Sequence, residues 1–197
     1  MPYQHDLASL VGSRLCHDLI GPIGAIGNGV ELMLLPGNAR NDEVAMIAES
    51  VSTLTARIRY YRIAFGTSQL DQSISRNEVL AMIADLFPSG RITITWVSPT
   101  DLPRAEVKAV FLLILCAEQG LRSTGRIHVI RDGSGWSLAL SSSRLVPDEA
   151  RWSLLSNAGG LSVSPAEVQF PLAYQAISSL DRKVRLEPGF ESLRISF

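Results

Sequence analysis

The stretch NDEVAMIAESVSTLTARIRYYRIAFG, residues 41–66, decides the fold. Its apolar positions Val44, Ile47, Val51, Leu54, Ile58, Tyr61 and Phe65 recur at alternating spacings of 3 and 4. That is an a/d heptad repeat, the period by which helices pack against helices in a left-handed bundle rather than against a sheet. Asn41 suits an N-cap, and Asp42 and Glu43 put negative charge in the first turn, where the helix dipole favours it.

Working back from this helix, residues 5–35 read as a second long amphipathic helix, closed by Pro36, Gly37 and Asn38. At about 100° per residue, Leu19, Ile23, Ile26, Val30 and Met33 line up as an apolar seam. His17 points away from that seam and shares the outer stripe with Ser13, Arg14, Gly21, Gly24, Asn28 and Glu31. Pro22 withdraws the N–H that would bond the carbonyl of Asp18, which predicts a bend just after His17. Folding the hairpin about residues 38 and 39 sets His17 level with Tyr60, within a turn of Arg57, Arg59 and Arg62, so that a guanidinium can reach an anion held at the imidazole. Two helices cannot cover both seams by themselves. A second copy of the chain is the simplest cover, which predicts a homodimer built on a four-helix bundle.

The chain's 197 residues suffice to bury a core without staples. Apolar residues make up 46%, charged residues 19%, and the net charge is −1, a balance that excludes a disordered chain and leaves no basic field for nucleic acid. The longest apolar run, residues 109–117, is about half a membrane span. The N-terminus has no basic and apolar leader pattern, so a cytoplasmic protein without a membrane partner is expected. Cys16 and Cys116 lack CxxC spacing and read as buried thiols of a reducing compartment.

Towards the C-terminus, the polar residues 66–75 read as a connection between a hairpin domain, 1–68, and a second domain, 69–197. There the pattern predicts helices over 76–87, 104–121, 147–155 and 165–180, the last kinked at Pro171, and strands over 91–97, 126–131, 136–141, 184–186 and 192–197. Asp132, Gly133, Ser134 and Gly135 mark a hairpin turn. The order predicts a sheet covered by helices on one side, and the whole chain is α+β.

His17 is the candidate for chemistry. A neutral imidazole is a good nitrogen nucleophile near neutral pH, and phosphoryl transfer asks for in-line approach and little other covalent help. Glycines one and two turns beyond His17 leave room for a bulky partner. Asp18 is placed to hold the other ring nitrogen and fix the tautomer, although adjacent helical side chains diverge by about 100°. Cys16, His17 and Asp18 fan out around the axis and cannot converge on one metal ion, so no metal is expected here. No Gly-x-Ser-x-Gly elbow supports a hydrolase.

The run from Cys16 to Pro22 resembles the histidine-kinase H-box. With Leu15, Ala25 and Ile26, and with Arg62, Ile63, Ala64, Phe65 and Gly66 closing the second helix, it is similar to the ChpT-type histidine phosphotransferases of alphaproteobacteria. The resemblance implies a dimer whose hairpins form a four-helix bundle, followed by an α/β sandwich resembling the histidine-kinase ATP-binding (Bergerat-type) domain. It implies that His17 accepts a phosphoryl group from the receiver aspartate of a hybrid histidine kinase and passes it to response-regulator receivers. Receiver domains would dock on Ser13, Arg14, Ile20, Gly21, Gly24 and Arg62, with Mg²⁺ supplied by the receiver and no cofactor held by this chain. Aligned on residues 112–122, the two amide positions of a working ATP site are Ile114 and Glu118, and the Asp-x-Gly-x-Gly turn is replaced by residues 141–145, Ser-Ser-Ser-Arg-Leu. Only Gly159 and Gly160 suggest a glycine-rich lid, so ATP binding is not expected. Two other readings stay open: a dimeric adaptor or inhibitor that docks receiver or kinase domains without carrying phosphate, and a divergent ATP-using kinase.

Overall fold

Two long helices open the chain in the computed structural model, which describes residues 6–34, 40–68, 71–88, 90–99, 101–121, 124–133, 135–143, 145, 148–156 and 163–197. Helix α1, Leu7–Leu34, is capped by Asp6, whose carboxylate accepts from the Ala8 N–H at 3.1 Å and from the Ser9 hydroxyl at 2.7 Å. It runs unbroken through Pro22. Helix α2, Arg40–Ala64, packs along it and begins one residue before the expected cap Asn41. The expected stop at Pro36, Gly37 and Asn38 lies outside the described residues.

The heptad positions divide into two sets seven residues apart. Leu19, Ile26 and Met33 of α1 and Ile47, Leu54 and Tyr61 of α2 are half-buried or buried, and Gly29 lets Ile47 of α2 approach so closely that a Cβ there would lie 2.6 Å from its side chain. The other set, Ile23 and Val30 of α1 with Val44, Val51 and Ile58 of α2, stays between 46 and 50% exposed apart from Ile23 at 54%. One side of the hairpin is thus packed and the other presents an open apolar face.

The rest of the chain forms two sheets. Strands β1, Ser73–Ser75, and β3, Asp101–Pro103, pair antiparallel in a small ribbon that periodicity did not anticipate, because three residues are too few to show alternation. The main sheet comprises β2, Ile92–Val97; β4, Gly125–Asp132; β5, Gly135–Ser141; β6, Arg185–Gly189; and β7, Ser192–Ser196. Its order is β2-β4-β5-β7-β6, with only β2 and β4 parallel. The crossover between those two is α4, Arg104–Leu121, which is buried nearly all round from Ala105 to Ala117. Inward-facing Trp96, Val129, Leu138 and Ile195 form one row across the sheet. Helix α3, Arg76–Leu86, held by a Ser75/Glu78 capping box, packs beside α2.

Two helical expectations need correction. The helix expected over 147–155 is only α5, Glu149–Ser153, started by the Asp148 side chain. Pro171 does not kink a helix: a 3₁₀ turn, Pro165–Glu167, precedes α6, Gln169–Ser178, so Pro171 lies in a first turn, where its missing N–H has no partner to lose. One hydrophobic core joins the end of α2 to the rest of the molecule. Tyr60 stacks on Phe111 of α4 at 4.1 Å between ring centroids and donates its hydroxyl to the Phe111 carbonyl at 3.0 Å.

Candidate functional site

His17 stands on the outer side of α1 with its side chain 85% exposed, whereas the adjacent Asp18 is 9% exposed. Helical geometry accounts for the contrast, since consecutive side chains leave the axis in directions about 100° apart. The two nevertheless meet, with His17 Nδ1 3.2 Å from Asp18 Oδ1. Asp18 Oδ2 accepts from Arg14 Nε, one turn earlier, at 2.6 Å, and from the Tyr61 hydroxyl of α2 at 2.6 Å. Burial alone would push the Asp18 carboxyl up, but the hydrogen bonds from Tyr61 and His17 and the charge of Arg14 outweigh it and hold the group below the usual carboxylate range. Asp18 is therefore an ionised carboxylate at neutral pH. Burial and the bond to Asp18 push the Tyr61 hydroxyl well above its ordinary range, so it stays a donor.

The proline in α1 has a structural counterpart across the hairpin. The Asp18 carbonyl, left without an N–H by Pro22, accepts from Arg57 Nη1 of α2. That bond takes the Arg57 guanidinium to the α1 backbone. Arg59 approaches Asp85 of α3 at 3.8 Å, and Arg62 is exposed at the end of α2. Arg14 is half-buried and also donates from Nη1 to the Ala166 carbonyl of the 3₁₀ turn at 3.2 Å.

Around His17 the surface is open. Ser13 is exposed, Ile20 is 70% exposed, and a Cβ placed at Gly21 or Gly24 would meet nothing within 4 Å. A Gly21→Leu chain should react more slowly at His17 with a bulky partner than wild type does, while its Tm stays level or rises. Leucine removes up to about 1 kcal/mol of glycine's helix penalty but fills the space one turn from the imidazole. Equal loss of rate and Tm would assign the glycine to packing. Cys16, expected to be buried, is exposed because it lies one heptad before Ile23, in line with the open apolar face of the hairpin, while Cys116 is buried in α4 and its thiol is pushed well up by that burial.

Behind the histidine, Arg14, Asp18, Arg57, Tyr61 and Glu118 line a cleft of about 180 Å³. Glu118 keeps solvent access although protein surrounds much of it, and this desolvation pushes its carboxyl upward. Ile114, the other position aligned with an ATP-site amide, is fully buried. Ser141 lies at the end of β5 beside Ser142 and Ser143, while Arg144 and the pair Gly159 and Gly160 lie outside the described residues. Among the described residues no group of three or more His, Cys, Asp or Glu side chains could hold a metal ion, and no helix is long and apolar enough to cross a membrane.

Tyr61 occupies an apolar heptad position that by itself implies no polar role, yet its hydroxyl bonds Asp18. Arg14 belongs by spacing to the outer stripe, whereas its guanidinium curls back onto Asp18. The signal available was the i, i+4 spacing of Arg14 and Asp18.

A family model described as the histidine phosphotransferase C-terminal domain matches residues 76–191. The protein phosphotransferase ChpT of Brucella abortus (strain 2308) is 34% identical over 135 residues, which are 66% of this chain and 62% of that protein. A bacterial phosphotransferase of known structure superposes with a TM-score of 0.82 at 26% identity, covering 100% of this chain and 97% of that one. The catalytic domain of the histidine kinase ThkA gives a TM-score of 0.46 at 15% identity, over 64% of this chain and 93% of that one.

Proposed function

Because the chain belongs to the ChpT-type histidine phosphotransferase family, we propose that it is a phosphorelay intermediate that carries a phosphoryl group on His17 between the aspartates of receiver domains. The observation that carries this reading is the exposed imidazole whose Nδ1 faces a buried, ionised carboxylate 3.2 Å away. A proton on Nδ1 donates to Asp18 and leaves the Nε2 lone pair free. That lone pair attacks the phosphorus of an aspartyl phosphate, the N–P bond forms as the P–O bond breaks, and the receiver's carboxylate leaves. The ring then carries positive charge, which the Asp18 carboxylate stabilises. A second receiver's carboxylate reverses the step.

The docking surface in this reading is the open stripe of Ser13, Ile20, Gly21 and Gly24, with Arg62 at the far end of α2 and Arg14 supporting it from within. Magnesium belongs to the receiver. The chain acts without ATP, since Ile114 offers no polar group and residues 141–143 no carboxylate to an adenine. Residues 1–68 form the phosphotransfer and dimerisation domain and 69–197 a kinase-like domain that has lost its nucleotide. Ile23, Val30, Val44, Val51 and Ile58, repeating every seven residues on one open side of the hairpin, support a two-fold partner hairpin from a second copy.

The test is incubation of the chain with magnesium and a receiver labelled on its aspartyl phosphate. Label is expected on this chain as an acid-labile, alkali-stable phosphate that maps to the peptide containing His17. Label that stays on the receiver would overturn the proposal.

A further inference from the structure

We infer that Tyr61 and Arg14 are positioning residues for phosphotransfer, acting on His17 through Asp18. The inference rests on His17 being the phosphoacceptor. Neighbouring side chains on a helix diverge, so Asp18 has no intrinsic reason to face the ring that precedes it. What turns it is the occupation of its other oxygen. Tyr61 from α2 and Arg14 from α1 both donate to Oδ2 at 2.6 Å, which leaves Oδ1 as the oxygen that meets His17 Nδ1. The carboxylate thereby selects the tautomer with the proton on Nδ1 and the lone pair on the outward Nε2.

Stability does not account for this arrangement. Tyr61 is buried and its ring packs against Tyr60 and Phe65, contacts that a phenylalanine would keep. Burying a hydroxyl and a carboxylate to satisfy one another gains little over an apolar pair of the same shape. The network therefore serves the one group it presents to solvent.

Arg14 extends the network into the C-terminal half. Its Nη1 donates to the Ala166 carbonyl at 3.2 Å, and that carbonyl also accepts from Gln169 Nε2 at 2.8 Å. The same Gln169 amide donates to Gln119 Oε1 of α4 at 3.1 Å. The 3₁₀ turn thus fixes the arginine that fixes Asp18, and the imidazole's proton is set by an element more than a hundred residues away in sequence.

The test uses the full chain and Tyr61→Phe. Nitrogen-15 NMR of the neutral imidazole should show His17 mainly protonated at Nδ1 in the wild type and shifted towards the Nε2-protonated form in the variant. Transfer from a phosphorylated receiver should slow about tenfold, the usual scale for loss of a supporting contact behind a reacting group, with receiver affinity unchanged. If Tyr61→Phe does not fold, Arg14→Gln is read on the tautomer ratio and on the transfer rate at saturating receiver, with the same direction expected for both. An unchanged tautomer ratio in the folded variant, or unchanged transfer, overturns the inference. The tautomer needs no phosphate to be measured. A wild-type chain that accepts no label would sink the phosphorelay reading while the NMR comparison still judges Tyr61 and Arg14.

Discussion

A Glu106→Leu chain is expected to melt roughly 6–12 °C below the wild type, the effect of losing about 3 kcal/mol in a domain of this size. Glu106 lies in the first turn of α4 with its side chain 8% exposed, and it accepts from three groups: Arg131 Nε of β4 at 2.9 Å, Trp136 Nε1 of β5 at 2.7 Å and Arg182 Nη2, ahead of β6, at 3.1 Å. Leucine would leave the buried indole N–H without an acceptor and set two guanidiniums side by side with no counter-charge. Both arginines keep some contact with water, which holds the cost to the lower end of the 3–5 kcal/mol typical of a broken buried pair. Burial raises the Glu106 carboxyl, but the bonds from Arg131 and Trp136 and the charge of Arg182 prevail and depress it below its ordinary value. A depressed folded-state pKa contributes stability above the unfolded value, near 4.5, and loses it as pH falls through the folded value. The gap between wild type and variant should therefore narrow on acidification below about pH 4.5. Equal melting temperatures at neutral pH would remove Glu106 from the set of groups that tie α4 to the sheet.

Much of this architecture is legible in the chain because strong periodicity and its punctuation agree. Residues 104–121 are the helix that the apolar run predicts, and Gly133 takes the left-handed conformation, φ 57°, at the turn between β4 and β5. What escaped is short or tertiary. Strands β1 and β3 exist because they pair with each other, and Pro171 sits in a first turn rather than a kink because a 3₁₀ turn intervenes. The heptad of α2 is visible in the sequence, yet its division into an inner set with Tyr61 and an outer set with Ile58 depends on which side α1 occupies.

The site divides along the same line. That His17 faces outward follows from the helical wheel, and the freed Asp18 carbonyl follows from Pro22 alone, whereas the wheel sets Asp18 about 100° from the seam and does not show its burial. The partner for that carbonyl does not: Arg57, Arg59 and Arg62 are equivalent by level, and only the packed hairpin assigns Arg57 to it. Tyr61 was hidden for a different reason. A tyrosine at a heptad position reads as a hydrophobe, and its hydroxyl acquires a role only when an ionised carboxylate lies 2.6 Å away.

Replacing His17 by alanine should abolish transfer of labelled phosphate and leave receiver binding detectable, since the surrounding stripe of Ser13, Ile20, Gly21 and Gly24 is unchanged in the variant. Alanine is the better helix former, so the fold should not suffer. Asp18 keeps Arg14 and Tyr61 in the variant, so the buried carboxylate does not lose its charge partners when the imidazole goes. The two measurements together separate the readings of this chain. Loss of label with binding retained is the signature of a phosphoacceptor on a preformed docking surface. A wild-type chain that binds receivers as tightly as the variant and takes no label from them is an adaptor. Label retained by the variant would move the acceptor to another residue. Labelled ATP added to the wild-type chain alone should leave it unlabelled, and incorporation there would restore a nucleotide site despite the apolar Ile114 at its metal position. Each outcome turns on whether an imidazole that is 85% exposed, with a fixed carboxylate at its back, is the nucleophile or merely part of the surface.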